Sequence, residues 1–154
     1  MQQSRHTNTK IIMIYKYQQQ IDKLLAEGLT MPTVYAPNNM EAFRYVFSTD
    51  NPNNHKPVCI QNPSRRLPNR EKLSGYALSC FNSQQNAEKK YAALCKSFRQ
   101  TPKTIGDSLS YGRLKDTDGM ITKPDSASGH FDLYESASCD LSKTFHITKQ
   151  LWKR

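Results

Sequence analysis

The sequence predicts a single α+β domain in which a mostly antiparallel sheet of five or six strands carries two main helices. Three observations favour this class. A length of 154 residues suits one domain. Short segments with alternating side chains surround two segments with helical spacing, and the order is helix, strands, helix, strands. We expect the domain to cover 15–150, between a disordered extension at 1–14 and a basic tail at 151–154.

Two elements open the predicted domain. The segment "YKYQQQIDKLLAEG" predicts a helix, because Ile21 and Leu24 recur at helical spacing and Gly28 suits a helix C-terminus. The segment "AFRYVFS" has the composition of a strand. Its alternation puts Phe43 on one face and Arg44 on the other.

The middle of the chain is predicted to contain two strands, a long loop and the second helix. "KPVCIQN" is expected to form a short strand, and the Pro- and Arg-rich stretch 63–75 a loop of functional or mobile character. "YALSCF" is the third strand and leads into a helix capped by Asn82 or Ser83. The apolar stripe predicted to face the sheet consists of Ala87, Tyr91, Leu94, Cys95 and Phe98.

The last third of the chain reads as strands. "TIGDSLSYGRLK" predicts a strand with Gly106 and Gly112 as bend points, and "DTDG" a hairpin-type turn into a returning strand. "HFDLYE" and "TFHIT" are the last strands. In "HFDLYE", alternation directs Phe131 and Glu135 to the core face. The opposite face carries His130, Asp132 and Tyr134, side chains suited to acid–base chemistry.

Charge is the strongest functional signal in the sequence. The net charge is +9, and residues 1–104 carry 15 Lys and Arg against 6 Asp and Glu. A basic chain favours nucleic acid, a nucleotide or an acidic protein as partner. The chain contains no helix-turn-helix, zinc-finger or RNP motif, so sequence-specific reading is not supported. The residues predicted to bind phosphate are Arg65, Arg66, Arg70, Lys72, Lys89 and Lys90.

Three positions carry a resemblance to a known family. Arg44 lies on an early predicted strand, Ser79 on a middle strand that leads into a helix, and Glu135 on a late strand. This order resembles the ADP-ribosyltransferase fold. The resemblance implies that the Arg holds the phosphate or ribose of NAD, the Ser orients the cofactor and the Glu stabilises a developing oxocarbenium charge. The family's serine-threonine-serine triplet is lacking, and Leu133 stands where the family has a second Glu or Gln.

Three functions remain open from the sequence. The leading hypothesis is a non-catalytic module that binds nucleic acid or a nucleotide without a cofactor. The alternative is an NAD-using enzyme with Arg44, Ser79 and Glu135 at its catalytic site, and a third is a protein-interaction module in a larger assembly. Four cysteines without metal-ligand spacing are expected to be reduced, which favours an intracellular, cytoplasmic location, and no metal site or membrane span is predicted.

Overall fold

The computed structural model describes residues 13–152, so most of the predicted extension and Lys153 and Arg154 of the predicted tail lie outside the described residues. Within this range the chain forms one antiparallel sheet of six strands with five helices, which confirms the predicted α+β class. The strands are β1 Met40–Val46, β2 Leu78–Phe81, β3 Ser108–Leu114, β4 Gly119–Ile121, β5 His130–Glu135 and β6 His146–Gln150. The helices are α1 Gln18–Ala26, α2 Val58–Gln61, α3 Asn69–Lys72, α4 Gln84–Ser97 and α5 Thr101–Thr104, with a 3-10 turn at Ser74–Tyr76.

The sheet is strongly curved. Its order is β4-β5-β2-β1-β3-β6, so three other strands separate β3 from β4. A single turn nevertheless joins Leu114 of β3 to Gly119 of β4, with a 2.9 Å hydrogen bond from the Asp118 amide to the Lys115 carbonyl. Four strand spacings in a flat sheet measure roughly 19 Å, whereas five residue steps span at most about 18 Å. The sheet must therefore curl, which gives it a concave and a convex face.

The sheet also opens between β1 and β2. Among the described residues, these two strands pair at a single position, Phe43 opposite Phe81. By contrast, β1 pairs with β3 along its whole length, from Met40 opposite Leu114 to Val46 opposite Ser108. The two halves of the sheet, β4-β5-β2 and β1-β3-β6, therefore diverge beyond Phe43. This divergence creates a gap into which side chains of β1 extend.

Apolar side chains cover both faces of the sheet. The concave face packs against the connection between β5 and β6, and its buried cluster is Ala42, Leu78, Cys80, Leu114, Ile121, Phe131, Leu133, Cys139, Leu141 and Phe145. On the convex face, α1 packs at one end of β2 through Ile21, next to Ala77. Helix α4 packs at the other end through Ala87, next to Phe43 and Phe81.

Helix α4 follows the sequence prediction over its first half. The Ser83 hydroxyl caps the helix by accepting a 3.1 Å hydrogen bond from the Asn86 amide. Tyr91 is buried, and its hydroxyl donates to the Gly106 carbonyl at 2.8 Å. Leu94 and Cys95 are only half-buried, and Phe98 is 56% exposed because it follows the last helical residue with an extended backbone. The predicted stripe is therefore correct for Ala87 and Tyr91 and wrong for Phe98.

Three local predictions are wrong. "KPVCIQN" contains helix α2 instead of a strand, because Pro57 suits a helix start and a run of three apolar residues does not distinguish helix from strand. The stretch 63–75 contains α3 and the start of the 3-10 turn, so it is not a long irregular loop. "DTDG" does form a turn, but it is not a hairpin turn, since β4 pairs with β5 and β3 pairs with β1 and β6.

Candidate functional site

Arg44 fills the gap between the two halves of the sheet. Its side chain leaves β1 on the concave side, and the residue is only 7% exposed. Nη1 donates to the Ser79 carbonyl on β2 at 2.7 Å, and Nη2 donates to the Asn54 carbonyl at 3.0 Å. The guanidinium satisfies a strand carbonyl that would face β1 in a continuous sheet. Two carbonyls thus fix a buried positive charge at this position.

Glu135 ends β5 on the same concave face and is 3% exposed. Lys16, from the segment before α1, donates to Glu135 Oε2 at 2.8 Å and to the Cys139 carbonyl at 2.7 Å. Burial raises the pKa of Glu135, while the hydrogen bond and charge of Lys16 and the charge of Arg44 oppose that rise. Burial lowers the pKa of Lys16, but its contact with Glu135 outweighs this, so the pKa is raised. The ammonium group of Lys16 therefore stays charged beside the carboxyl group.

His55 adds a neutral titratable group to the same region. It follows β1 in a loop, is half-buried, and its ring centroid lies 5.9 Å from that of Phe145. Burial, and next the charge of Arg44, lowers the pKa of His55 to about 4. The imidazole is therefore neutral at pH 7 and offers one hydrogen-bond donor and one acceptor.

We call this group of side chains the concave-face centre. It consists of Arg44, His55, Glu135 and Lys16. Among residues 13–152, three buried side-chain atoms lack a hydrogen-bond partner, and all three belong to this centre: Arg44 Nε, His55 Nδ1 and Glu135 Oε1. An unsatisfied buried polar group costs roughly 1–3 kcal/mol, so folded proteins contain few of them. A contribution to stability therefore does not explain three unsatisfied buried atoms in one region.

A cavity adjoins the concave-face centre. Its volume is about 480 Å³, and its lining includes His55, Asn54, Ser110 and Phe145. Ser110 faces Arg44 across the β1–β3 pairing and donates to the Arg44 carbonyl at 3.0 Å. The cavity therefore reaches His55 of the concave-face centre, whereas Arg44 and Glu135 are not among its lining residues. Its volume lies within the roughly 300–1,000 Å³ of small-molecule sites.

Ser79 lies apart from the other two members of the predicted Arg-Ser-Glu site. Its hydroxyl is on the convex face, 2.6 Å from His130 Nε2, whereas Arg44 and Glu135 share the concave face. Cys80, the next residue of β2, takes the position beside Arg44. It is fully buried, and burial raises the pKa of its thiol to about 11 although the charge of Arg44 lowers it. The structure brings Arg44 and Glu135 to one face, and Ser79 contacts Arg44 only through its backbone carbonyl, not through its hydroxyl.

Sequence reasoning missed three residues of this region: Lys16, His55 and Cys80. Lys16 meets Glu135 across 119 positions of sequence. His55 sits in a loop whose asparagines and proline predict only a turn. Cys80 lies in a predicted strand, where its alternation indicates only a core residue. None of the three carries a local signal, because only the curvature and splitting of the sheet bring them close to Arg44 and Glu135.

The residues predicted to bind phosphate fall into separate groups. Arg65, Arg66 and Lys72 line an open cavity of about 570 Å³ with Lys23 of α1, and Glu27 is the one carboxylate among its lining residues. This cavity is called the basic cavity below. Arg70 is exposed, lies 3.5 Å from Glu71 and borders a different cavity. Lys89 and Lys90 are exposed on α4, which packs at the other end of β2.

Comparison with protein-family models, with curated proteins and with solved structures gives no match for this chain. In the described range 13–152, no helix combines the length and apolar character needed to cross a bilayer. Nor do the His, Cys, Asp and Glu side chains of that range form a group of three arranged for a metal ion. The function must therefore be argued from the chemistry of the concave-face centre and the basic cavity.

Proposed function

We propose that the protein is an NAD-using transferase or glycohydrolase whose reaction takes place at the concave-face centre. The observation that carries this proposal is the set of three unpartnered buried atoms on Arg44, His55 and Glu135. Burying charged groups is costly, and replacing them with apolar residues is often neutral or stabilising. Strongly perturbed titratable groups are concentrated at functional sites. A ligand that supplies partners for these atoms explains their burial.

Each residue has a role in this reaction that follows from its contacts. The guanidinium of Arg44, held by two carbonyls, offers charge-assisted hydrogen bonds to a pyrophosphate. The carboxylate of Glu135 stabilises the positive charge that develops on the ribose when nicotinamide leaves. Lys16 favours the ionised form of that carboxylate. The neutral imidazole of His55 lines the cavity and suits a ribose hydroxyl or a carboxamide.

The positions of two residues along the strands agree with the family resemblance. Arg44 is on the first strand and Glu135 ends the fifth, with helix α4 following β2. The proposal uses Arg44 and Glu135 without Ser79, because the Ser79 hydroxyl contacts His130 on the opposite face. Of the three residues that carry the resemblance, it therefore depends on the carboxylate and the guanidinium alone.

The test is NAD consumption by the purified full chain, compared with the variant Glu135→Gln. The variant keeps the shape of the side chain but removes the charge, so we expect turnover to fall at least about 100-fold with an unchanged circular dichroism spectrum. The matched control is Glu41→Gln, an exposed carboxylate on β1 that bonds Tyr111, and it should leave turnover unchanged. No turnover by the wild-type protein, or equal turnover in Glu135→Gln, would overturn the proposal.

A second candidate function is binding of a phosphate-bearing ligand, nucleic acid or nucleotide, without catalysis. The basic cavity favours it, since four cationic side chains and a single carboxylate line a space of about 570 Å³. Its walls also include Leu24, Leu67 and Tyr76, which suit a base or sugar beside the phosphate. Such a ligand would be held mainly by electrostatic attraction to the cationic side chains.

Salt dependence tests this second function. Binding of a fluorescent single-stranded oligonucleotide should weaken linearly in log affinity against log salt. The triple variant Arg65→Ala, Arg66→Ala, Lys72→Ala should flatten that slope by about 1 per lost phosphate contact. The double variant Lys89→Ala, Lys90→Ala removes exposed charge elsewhere and should change it less. Binding that does not respond to salt, or that survives the triple variant, contradicts the hypothesis.

A further inference from the structure

Ser79 and His130 form a short hydrogen-bonded pair on the convex face. The distance from Ser79 Oγ to His130 Nε2 is 2.6 Å. The two residues lie on neighbouring strands, β2 and β5, and Ser79 is opposite Asp132 in the pairing. Side chains on paired strands are held more precisely than side chains on loops. Because Ser79 is exposed, a substrate has access to the hydroxyl.

The surroundings of His130 hold its ring in place. The edge of the ring packs on Phe81, with centroids 5.5 Å apart. Asp132 Oδ1 lies 3.7 Å from His130 Nε2, the nitrogen that faces Ser79. This differs from a Ser-His-Asp triad, in which the carboxylate bonds the ring nitrogen that faces away from the serine. A serine hydroxyl and a histidine nitrogen thus lie within hydrogen-bond distance, which is the arrangement of a nucleophile and its general base.

A cavity of about 460 Å³ reaches Asp132 on this face of the sheet, and its lining does not include Ser79 or His130. Asp132 lines it together with Thr122, Ser74, Tyr134 and Arg70. Thr122 Oγ1 accepts a hydrogen bond from the Asp132 amide at 2.9 Å, so its own proton is available to a substrate oxygen. The cavity gives space for a small acyl group near Asp132, the residue opposite Ser79 in the β2–β5 pairing.

We propose that Ser79 is a nucleophile towards small carboxylic esters, with His130 as its general base. Ser79 Oγ attacks the ester carbonyl carbon while its proton passes to His130 Nε2. Collapse of the tetrahedral intermediate breaks the bond to the alcohol, which leaves with that proton. Water then attacks the acyl-serine by the same route, which releases the carboxylic acid and restores Ser79. This activity does not depend on the concave-face centre.

The experiment treats the full chain with a fluorophosphonate probe and with p-nitrophenyl acetate. We expect one adduct, mapped by peptide mass spectrometry to Ser79, and release of p-nitrophenol. His130→Gln should slow both reactions at least about 100-fold, because general-base catalysis contributes roughly 10²–10⁴-fold. Ser64→Ala, an exposed loop serine, is the control and should react like the wild-type protein.

Three results would overturn the proposal: no adduct on the wild-type protein, an adduct at another residue, or unchanged rates in His130→Gln. The site of the adduct is read on the wild-type chain, so the outcome does not depend on how well a variant folds. Ser79→Ala, checked by circular dichroism, should abolish labelling, and persistent labelling in that variant would also contradict the assignment.

Discussion

The two faces of the sheet carry polar groups in contrasting ways. On the concave face, Arg44 and Glu135 are 7% and 3% exposed, and each retains a buried atom without a partner among residues 13–152. On the convex face, His130 and Asp132 have side chains that are 39% and 22% exposed, and water reaches them. Burial of charge destabilises a fold, whereas half-exposed polar groups cost little. The buried charges of the concave face therefore agree with the proposed ligand site, whereas the exposed polar groups of the convex face carry little energetic cost.

The largest effect on stability is expected from Arg44→Ala. Its loss leaves the Ser79 and Asn54 carbonyls without their donor and removes a positive charge that acts on Glu135, so we expect a loss of roughly 3–5 kcal/mol. The control is Arg113→Ala, an exposed arginine of β3 that lies 3.6 Å from Glu41. Its loss should cost no more than about 1 kcal/mol in urea denaturation. If the two variants lose equal unfolding free energy, the buried Arg44 is no more important to stability than an exposed arginine, which contradicts the contrast drawn here.

The convex face should depend on apolar packing instead of charge. Tyr91 is 4% exposed and bonds the Gly106 carbonyl, so Tyr91→Ala should cost about 3 kcal/mol in the free energy of unfolding. Phe98→Ala, one of the predicted stripe positions, should cost less than about 1 kcal/mol because that ring is exposed. Leu94→Ala should fall between them. A Phe98 loss as large as that of Tyr91 would mean that α4 packs differently from this account.

Local patterns account for what the sequence predicted. Some signals involve only residues that are close together in the sequence. The alternation around Phe131 and Leu133 predicts a strand, and the cap at Ser83 predicts the start of helix α4, so the fold class follows from them. The segment 58–61 is too short to show a period, and its structure was predicted wrongly. The concave-face centre depends on contacts such as that from Lys16 to Glu135, which only the folded sheet provides. Arg44 and Glu135 were named from the sequence as candidate site residues, whereas the contacts that they make were not predicted.

A smaller effect is expected in the pH dependence of stability. The pKa of His55 falls from 6.5 to about 4 on folding, so the unfolded chain binds more protons between these values. The stabilising contribution is complete above pH 6.5 and is lost as the pH falls towards 4. The variant His55→Asn should lose less stability than the wild-type protein between pH 7 and pH 4.5. His146→Asn, on exposed strand β6, is the control and should behave like the wild-type protein. If His55→Asn follows the wild-type curve, the imidazole does not titrate as described.

The central claim is that the charges on the concave face belong to a ligand site, and ligand-induced stabilisation tests it most directly. The measurement is the increase in unfolding free energy caused by ADP-ribose. For each variant, the unfolding free energy with ligand is compared with that of the same variant without ligand, so differences in intrinsic stability do not matter. Saturating ligand at about 100 times its dissociation constant should stabilise the wild-type chain by about 2.7 kcal/mol. We predict that Arg44→Met loses this increment and that the double variant Arg65→Ala, Arg66→Ala keeps it. Loss in the double variant with retention in Arg44→Met, or no increment in the wild-type chain, would contradict the account.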